Sequence, residues 1–447
     1  MQNRAKRLLL NAMWPAVFAA VTSTAYAATE ELKDNRSPLV VDFTAATYLP
    51  SQKGVLVAGL HGLLGALRVD NEGVAELSRF EADENIDFTA VEKLTDSEVL
   101  LGTSTGRIYS FDGKTLTDLG KITEFDEPVL DISISGGKGW AVGSRGMLAK
   151  SADGKKWDVV TIDEITQPEV KLPVNTTGTE AYFGVANIIL DSVKITATKG
   201  GAPLVADTDY TFYPDEGFVQ INANLDAQPA PAIAFQFHPG PAFKLGDVSW
   251  NVVMFEGDNV TIAGEFGMIV QSTDGGTTWT RRDSVFTPKE PEQPYWITGT
   301  QEGKTMVLVG AAGAVHRSVD AGLTWTRLPP PTAEGLFGVA LIKDGSGSTV
   351  PVIAGAVGMV GTFVDDKWLL ADRSQLKLLS WLKNPVKMPD GTTLLLGGRQ
   401  TALLLKCPLS ASCEWQRVTV KTGEEVAIAE NLDKTSGDWK EGAAKAK

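Results

Sequence analysis

Seven segments of the chain share one hydropathy pattern: a short apolar run, a glycine turn that usually contains a second glycine, and another apolar run. Short apolar runs bounded by glycine are typical of β-strands joined by tight turns. Each segment therefore predicts a pair of strands. The seven copies are VLVAGLHGLLGAL from Val55, VLLGTSTGRIYSF from Val99, GWAVGSRGMLAKS from Gly139, VTIAGEFGMIVQS from Val260, VLVGAAGAVHRSV from Val307, PVIAGAVGMVGTF from Pro351 and TLLLGGRQTALLL from Thr393.

The spacing of these copies predicts the fold class. The first glycines of the copies are Gly59, Gly102, Gly143, Gly264, Gly310, Gly355 and Gly397. All but one of the intervals between them lie near 45 residues, and a repeat of about 45 residues built from short strands is the signature of a propeller blade. We therefore predict an all-β fold, a seven-bladed β-propeller.

The third interval is long enough to hold a small inserted antiparallel β module. Within it, apolar residues alternate with polar ones around Val193, Tyr210, Val219 and Ile233, which predicts at least four strands. We expect a signal peptide at 1–27, blades 1–3 at 28–165, the module at 166–246, blades 4–7 at 247–420 and a flexible tail at 421–447. We also expect residues 38–43 to pair with residues 414–420 and so close the ring.

The N-terminus has the features of a secretory signal. Arg4, Lys6 and Arg7 precede an apolar stretch, and Ala25-Tyr26-Ala27 provides a small-x-small cleavage pattern. We expect cleavage before Ala28 and a periplasmic protein, with an uncleaved membrane anchor as the alternative.

Charge and cysteine content limit the possible partners. Without the signal, 38 basic residues stand against 55 acidic ones, which argues against nucleic acid as a partner and against binding to anionic lipid through bulk charge. Cys407 and Cys413 are predicted to form a disulfide in an oxidising compartment, and a redox-active pair is the alternative.

Three repeats continue into a sharper motif of serine, aspartate, glycine and tryptophan. Such serine and aspartate side chains bond turn backbone, the glycine adopts a positive φ, and the tryptophan is buried between sheets. We assign these Asp-boxes (BNR repeats) a structural role. Their residues are Ser151, Asp153 and Trp157; Ser272, Asp274, Gly276 and Trp279; and Ser318, Asp320, Gly322 and Trp325.

The stretch VTIAGEFGMIVQSTDGGTTW resembles the photosystem II stability/assembly factor family of exported propellers. The resemblance covers the blades and not the inserted module. It implies a non-enzymatic scaffold that supports a membrane complex. Photosynthetic members carry an arginine-rich patch, whereas this chain is acidic with scattered arginines. Relatives in non-photosynthetic bacteria accompany exporters of the resistance-nodulation-division (RND) type, and such an exporter of lipid or hydrophobic cargo is the partner class implied.

Asp-boxes also occur in sialidases, so a carbohydrate-binding or glycoside-hydrolysing propeller is one alternative. Another is direct carriage of a lipid, which would require an enclosed apolar pocket in the insertion or the tunnel. Arg327-Leu328-Pro329 matches a sialidase tripeptide but follows an Asp-box instead of opening the first blade. No paired carboxylates occupy comparable positions on predicted inner strands. We therefore expect no catalytic residue, no metal and no cofactor.

Five aromatic residues are predicted to open the innermost strands of their blades: Phe88, Trp250, Trp296, Phe337 and Trp381. At that position they could surround one mouth of the central tunnel and bind an apolar ligand or a partner's side chain. The alternative is that they fill the wedge between neighbouring sheets.

Overall fold

The computed structural model describes residues 42–70, 72–123, 125–174, 177–239, 249–283, 294–344, 347–406 and 414–422. Within these ranges the regular structure consists of β-strands and three-residue 3₁₀ turns. No helix in the described ranges has the length and hydropathy of a membrane span. The all-β propeller prediction is confirmed.

Each blade is a four-stranded antiparallel unit, and the described residues contain seven of them. Blades 1 to 3 comprise β1 (Phe43–Leu49), β2 (Gly54–Gly59), β3 (Leu64–Val69) and β4 (Val74–Arg79); β5 (Phe88–Lys93), β6 (Val99–Thr103), β7 (Arg107–Phe111) and β8 (Leu116–Lys121); and β9 (Val129–Ser135), β10 (Lys138–Gly143), β11 (Leu148–Ser151) and β12 (Trp157–Val159). The inserted module contains β13 (Ile165–Lys171), β14 (Thr179–Tyr182), β15 (Ile188–Thr196), β16 (Thr198–Lys199), β17 (Ala202–Pro203), β18 (Tyr210–Tyr213), β19 (Phe218–Ile221) and β20 (Ala232–Phe237). Blades 4 to 7 comprise β21 (Trp250–Glu256), β22 (Asn259–Gly264), β23 (Ile269–Ser272) and β24 (Thr280–Arg281); β25 (Trp296–Glu302), β26 (Thr305–Gly310), β27 (Val315–Ser318) and β28 (Thr326–Arg327); β29 (Leu336–Lys343), β30 (Thr349–Gly355), β31 (Val360–Val364) and β32 (Lys367–Leu370); and β33 (Leu382–Lys387), β34 (Thr393–Gly397), β35 (Ala402–Lys406) and β36 (Glu414–Thr422). Short 3₁₀ turns occupy Pro50–Gln52, Ser144–Gly146, Glu265–Gly267, Ala311–Gly313 and Ala356–Gly358.

The first glycine of the repeat is required by a close backbone approach. In blade 4, a Cβ on Gly264 would lie 2.1 Å from the carbonyl oxygen of Ser249, and Gly310 meets the carbonyl of Tyr295 at the same distance. In both blades the residue after the glycine donates its N–H to that same carbonyl, at 3.2 and 3.0 Å. The turn between the second and third strands is thus bonded to the entry of the innermost strand.

The ring closes through a repeated hydrogen bond between innermost strands. These strands contact one another in the cyclic order β1, β5, β9, β21, β25, β29, β33 and back to β1. The Thr44 hydroxyl donates to the Phe88 carbonyl at 2.7 Å, and across the closure the Asn384 amide donates to the Phe43 carbonyl at 2.9 Å.

The outer strands of the first and last blades also pair. β36 continues past β35 and forms a parallel ladder with β4, in which Thr419 faces Val74. The expected pairing of residues 414–420 with residues 38–43 is wrong at Phe43, which belongs to innermost strand β1, while residues 38–41 lie outside the described ranges.

The inserted module extends the sheet of blade 4. Strands β15, β20 and β13 form a sheet that continues into β24 through a parallel bridge between Thr166 and Thr280. Strands β14, β19 and β18 form a second sheet. One apolar cluster joins module residues such as Phe235 to Trp140 of blade 3 and Trp279 of blade 4. The module therefore shares its core with the propeller.

A buried ion pair lies at this junction. The Arg281 guanidinium makes a two-pronged contact with the Asp283 carboxylate, with Nη2 2.6 Å from Oδ2, and the two side chains are only 1% and 6% exposed. Nη1 of Arg281 donates to the carbonyl of Phe183 at 2.6 Å. One arginine thus connects the outer strand of blade 4 to the module.

Several sequence predictions lie outside the described residues. They are the signal peptide at 1–27, the Cys407–Cys413 disulfide and the tail from residue 423 onward. The first two residues assigned to the tail, Lys421 and Thr422, belong to β36. The boundary of the module at 246 also falls in a range that is not described.

Candidate functional site

One face of the propeller carries a ring of exposed apolar side chains. We call this the turn face; it is formed by the turn between the second and third strands of each blade and by the connections between blades. Six large apolar residues there are between 41% and 86% exposed. They are Leu60, Phe125, Phe266, Tyr295, Val357 and Leu379.

Two of these side chains sit on backbone that disfavours them. Phe266 and Val357 occupy the middle of their 3₁₀ turns with φ of 55° and 51°, in the left-handed region. That conformation is unfavourable for bulky and β-branched side chains, and it raises the free energy of the folded state by on the order of 1–3 kcal/mol per residue. Glycine or asparagine would be easier to accommodate there. Large apolar groups at these positions are therefore not explained by folding.

The turn face is also divided by charge. Residues 80–87, 125–128 and 160–164, which leave blades 1, 2 and 3, contain eight carboxylates and no lysine or arginine. Across the ring, the connection after blade 6 and the turn of blade 7 contain Arg373, Lys377 and Arg399 against one carboxylate, Asp372. Arg145, whose guanidinium lies 5.9 Å from the ring of Phe125, extends over the acidic side. The face therefore combines apolar contacts with an acidic arc.

The Asp-boxes lie on the opposite face, in the turns between third and fourth strands. In blade 4 the Ser272 hydroxyl donates to Asp274 Oδ1 at 2.7 Å, and Asp274 accepts bonds from the hydroxyl of Thr278 at 2.6 Å and its N–H at 2.9 Å. These bonds, the Thr278 hydroxyl foremost, hold the pKa of Asp274 well below its usual range. The same bonds recur between Ser318, Asp320 and Thr324 of blade 5, and the Ser151 hydroxyl bonds Asp153 in blade 3.

The Asp-boxes of blades 4 and 5 also pack against the preceding blade. A Cβ on Gly276 would lie 2.4 Å from the ring of Trp140 in blade 3, and one on Gly322 would lie 2.8 Å from Gln271 in blade 4. Trp279 packs edge-on against Trp140 with 5.9 Å between ring centres. In the other two boxes, Trp157 and Trp325 are half-buried. The serine and aspartate side chains of these turns are used within the fold.

The five predicted tunnel-mouth aromatics fall into two groups in the structure. Phe88, Trp250 and Trp296 do open innermost strands and are buried. The Trp296 indole donates to the Gly267 carbonyl of the preceding blade at 3.1 Å, so this side chain fills the wedge between blades. Phe337 is the second residue of β29 and Trp381 precedes β33; both are half-buried. A binding role for Phe337 and Trp381 stays a prediction.

Three charged side chains on the innermost strands, Glu92, Asp131 and Lys383, are not predicted from the sequence. Burial, followed by the nearby Asp131 charge, raises the pKa of Glu92 to about 8, and burial raises that of Asp131 to about 7. Burial lowers the pKa of Lys383, against the opposing effect of Asp131. Asp131 accepts the Val253 N–H at 2.9 Å, which ties blade 3 to blade 4. Perturbed groups of this kind occur in both ion networks and functional sites.

Glu92 and Asp131 do bring two interacting carboxylates to innermost strands, but a metal site and an inward-facing sialidase tripeptide are not found in the described part of the chain. No group of three histidine, cysteine or acidic side chains there could hold a metal ion. Arg327 of the Arg-Leu-Pro tripeptide is exposed on outer strand β28. His316 packs against Trp296, and burial lowers its pKa to about 4.

Comparison with known proteins identifies one family. Residues 238–372 match the model of the family described as photosynthesis system II assembly factor YCF48. A search of curated protein sequences found no match.

Solved structures similar to the chain include other propellers. One is YCF48 bound to a D1 peptide, with 18% identity, 65% of this chain and 67% of that chain covered, and a TM-score of 0.36. Another is YCF48 from Cyanidioschyzon merolae, with 13% identity, 74% and 83% covered, and a TM-score of 0.42. A third is the WD40 propeller domain of Doa1, with 10% identity, 83% and 95% covered, and a TM-score of 0.46.

The matched residues 238–372 include two of the three Asp-boxes, with the hydrogen bonds given above. This segment of the propeller is thus similar to the family described as photosynthesis system II assembly factor YCF48.

Proposed function

We propose that this protein is a non-enzymatic accessory protein of a membrane complex and binds a subunit of that complex through the turn face. The observation that carries the proposal is the ring of exposed apolar side chains, two of which occupy unfavourable backbone conformations. Exposed apolar residues grouped on one face of a soluble propeller favour binding to another protein. The family description, an assembly factor, supports the same role.

The compartment and the partner class extend this proposal. The N-terminal signal pattern supports work in the periplasm. The resemblance to relatives in non-photosynthetic bacteria favours an RND-type exporter of lipid or hydrophobic cargo as the complex. The acidic arc of the turn face favours a partner other than a photosystem, because the photosynthetic proteins that the chain resembles carry an arginine-rich patch instead. The exposed apolar side chains and the acidic arc of the turn face are suited to binding a protein rather than to catalysis.

Site-specific photo-crosslinking in intact cells tests the proposal. A photoreactive phenylalanine analogue replaces Val357 or Leu379 on the turn face and, as matched controls, the exposed Val319 or Leu323 on the Asp-box face. We expect adducts with an RND-type exporter subunit from the turn-face positions only.

Each other outcome overturns a defined part of the proposal. An adduct with a different membrane protein overturns the exporter assignment and keeps the accessory role. Equal adducts from both faces, or none from the turn face, overturn the assignment of the binding surface.

A further inference from the structure

The two sheets of the inserted module leave an open seam. β15 is the last strand of one sheet and β18 the last strand of the other; among the described residues no further strand pairs with either edge, and the one additional pairing is a bridge from Tyr210 of β18 to Ala206. At one end the strands meet, since the Ile188 N–H donates to the Pro214 carbonyl at 3.3 Å. Beyond that bond the ladder does not continue.

A bulge in β15 explains why the seam stays open. Ile189 pairs with Gln236 of β20, but the next paired residue of β15 is Lys194, which faces Ala234. Residues 190–193 are therefore looped out of the ladder. Ser192 fixes the bulge, because its hydroxyl donates to the Ile189 carbonyl at 2.6 Å and accepts the Gln236 N–H at 2.7 Å.

The seam opens into a cleft of about 330 Å³ whose lining contains no charged side chain. Its walls include Leu190, Val193, Ile195, Leu204, Tyr210 and Phe212. All of these except Leu190 also pack against the shared core of the module and the propeller. The core of the module is thus incompletely covered.

We propose that the seam binds an extended segment of another protein by β-strand addition. Outside the bulge at residues 190–193 and the bonded groups of Ile188 and Tyr210, the two edge strands offer backbone N–H and C=O groups that a peptide backbone satisfies and a hydrocarbon chain does not. The uncharged cleft between them accepts apolar side chains at alternate positions of such a segment.

The charges around the seam define the flanks of that segment. Lys199 is paired with Asp209 at 2.8 Å. The remaining charges on the seam strands and their loops are Asp191, Asp207, Asp215 and Glu216 against Lys194. Excess negative charge favours lysine or arginine at the ends of the bound segment. The seam lies within the inserted module, which contains none of the six exposed apolar residues named for the turn face, so each site can be tested without the other.

Fluorescence anisotropy with the mature full chain tests the proposal. The probe is a fluorescein-labelled peptide Lys-Lys-Val-Thr-Val-Thr-Val-Lys-Lys, compared with a version with glutamate flanks, a version with a central proline, and dansyl-undecanoate as a hydrocarbon probe. We expect saturable binding of the first peptide, with affinity lower by about tenfold or more for the glutamate and proline versions, a loss of about 1.4 kcal/mol or more.

Two variants with similar exposure localise the binding. Leu190→Glu places a charge in the seam at a side chain that is 58% exposed, so the fold tolerates it, and Val319→Glu does the same at a 61% exposed site on blade 5. We expect Leu190→Glu to weaken peptide binding about tenfold or more and Val319→Glu to change it less than about twofold. Hydrogen exchange in the complex should slow at the amides of β15 and β18.

Three results would overturn the inference. They are no saturable binding of the first peptide, equal affinity of the wild type and Leu190→Glu, and binding of dansyl-undecanoate without the peptide. The last result would make the seam a hydrocarbon site.

Discussion

Removing the charge of Asp283 tests whether the buried pair with Arg281 holds the module to the propeller. The Asp283→Asn substitution keeps the size of the side chain and leaves Arg281 charged and almost fully buried. The guanidinium then retains its bond to the Phe183 carbonyl but loses the two-pronged contact with a carboxylate. An uncompensated charge would remain inside the shared core.

The expected loss follows from burial rather than from distance. Removing one partner of a buried ion pair costs about 3–5 kcal/mol of the free energy of unfolding. The exposed pair of Arg107 and Asp118 has the same 2.6 Å separation, but both side chains are 41% exposed. Exposed pairs contribute about 0–1 kcal/mol, so Asp118→Asn should lower the free energy of unfolding by less than about 1 kcal/mol.

Chemical denaturation followed by tryptophan fluorescence measures both variants, since Trp140 and Trp279 lie in the core next to the junction. A double variant, Arg281→Met with Asp283→Leu, removes both charges and leaves the Phe183 carbonyl without its donor. We expect that variant to lose about 1–3 kcal/mol, less than Asp283→Asn alone. The reasoning fails if Asp283→Asn costs no more than Asp118→Asn, or if the double variant is the less stable one.

Three further changes probe other parts of the molecule. The pKa of Glu92 rises on folding from 4.5 to about 8, so its contribution to stability falls as pH rises between these values; Glu92→Gln should flatten the dependence of Tm on pH between 5 and 8, and an unchanged pH profile would contradict this. Gly264→Ala would place Cβ against the Ser249 carbonyl and should lower the free energy of unfolding by about 1–3 kcal/mol in urea denaturation. Thr278→Val removes the hydroxyl that most lowers the pKa of Asp274; because a carboxylate with a low pKa stabilises the fold until it is protonated, the acid-unfolding midpoint should move to higher pH.

The propeller was predictable from sequence because its determinants are local and repeated. The glycine turn follows from a carbonyl that approaches within 2.1 Å of where a Cβ would stand in blades 4 and 5. The Asp-box likewise places its serine and aspartate two residues apart, as the turn bonds require. A motif that is complete within one turn can be recognised without knowing the rest of the chain.

The surroundings of a residue were less predictable than its strand. Trp296 was correctly placed at the start of an innermost strand, but its burial depends on the Gly267 carbonyl of another blade. The strands of the module around Val193, Tyr210, Val219 and Ile233 were found from alternation. The bridge between Thr166 and Thr280 joins residues that are distant in sequence and have no local signal. The burial of Arg281 also has no local signal, because the Phe183 carbonyl that it bonds lies 98 residues away in sequence.

The exposed residues of the turn face did leave a signal in the sequence. Phe266 and Val357 lie between two glycines, at the position where blade 3 has Arg145 and blade 5 has Ala312. Comparing the copies position by position, rather than reading each for its pattern, would have separated the large apolar residues from the others.

The contrast between the two faces argues for where the function lies. On the Asp-box face, the polar side chains of the motif are bonded within their own turns, and the turn glycines of blades 4 and 5 contact the preceding blade. On the turn face, the turns that carry Phe266 and Val357 are held by backbone hydrogen bonds that make no use of these two side chains. Those side chains raise the free energy of the folded state through their φ values, and more than half of the surface of each stays exposed. Their presence is explained if the apolar surface is buried in a complex, and this is why we place the binding site on the turn face rather than on the Asp-boxes that define the family.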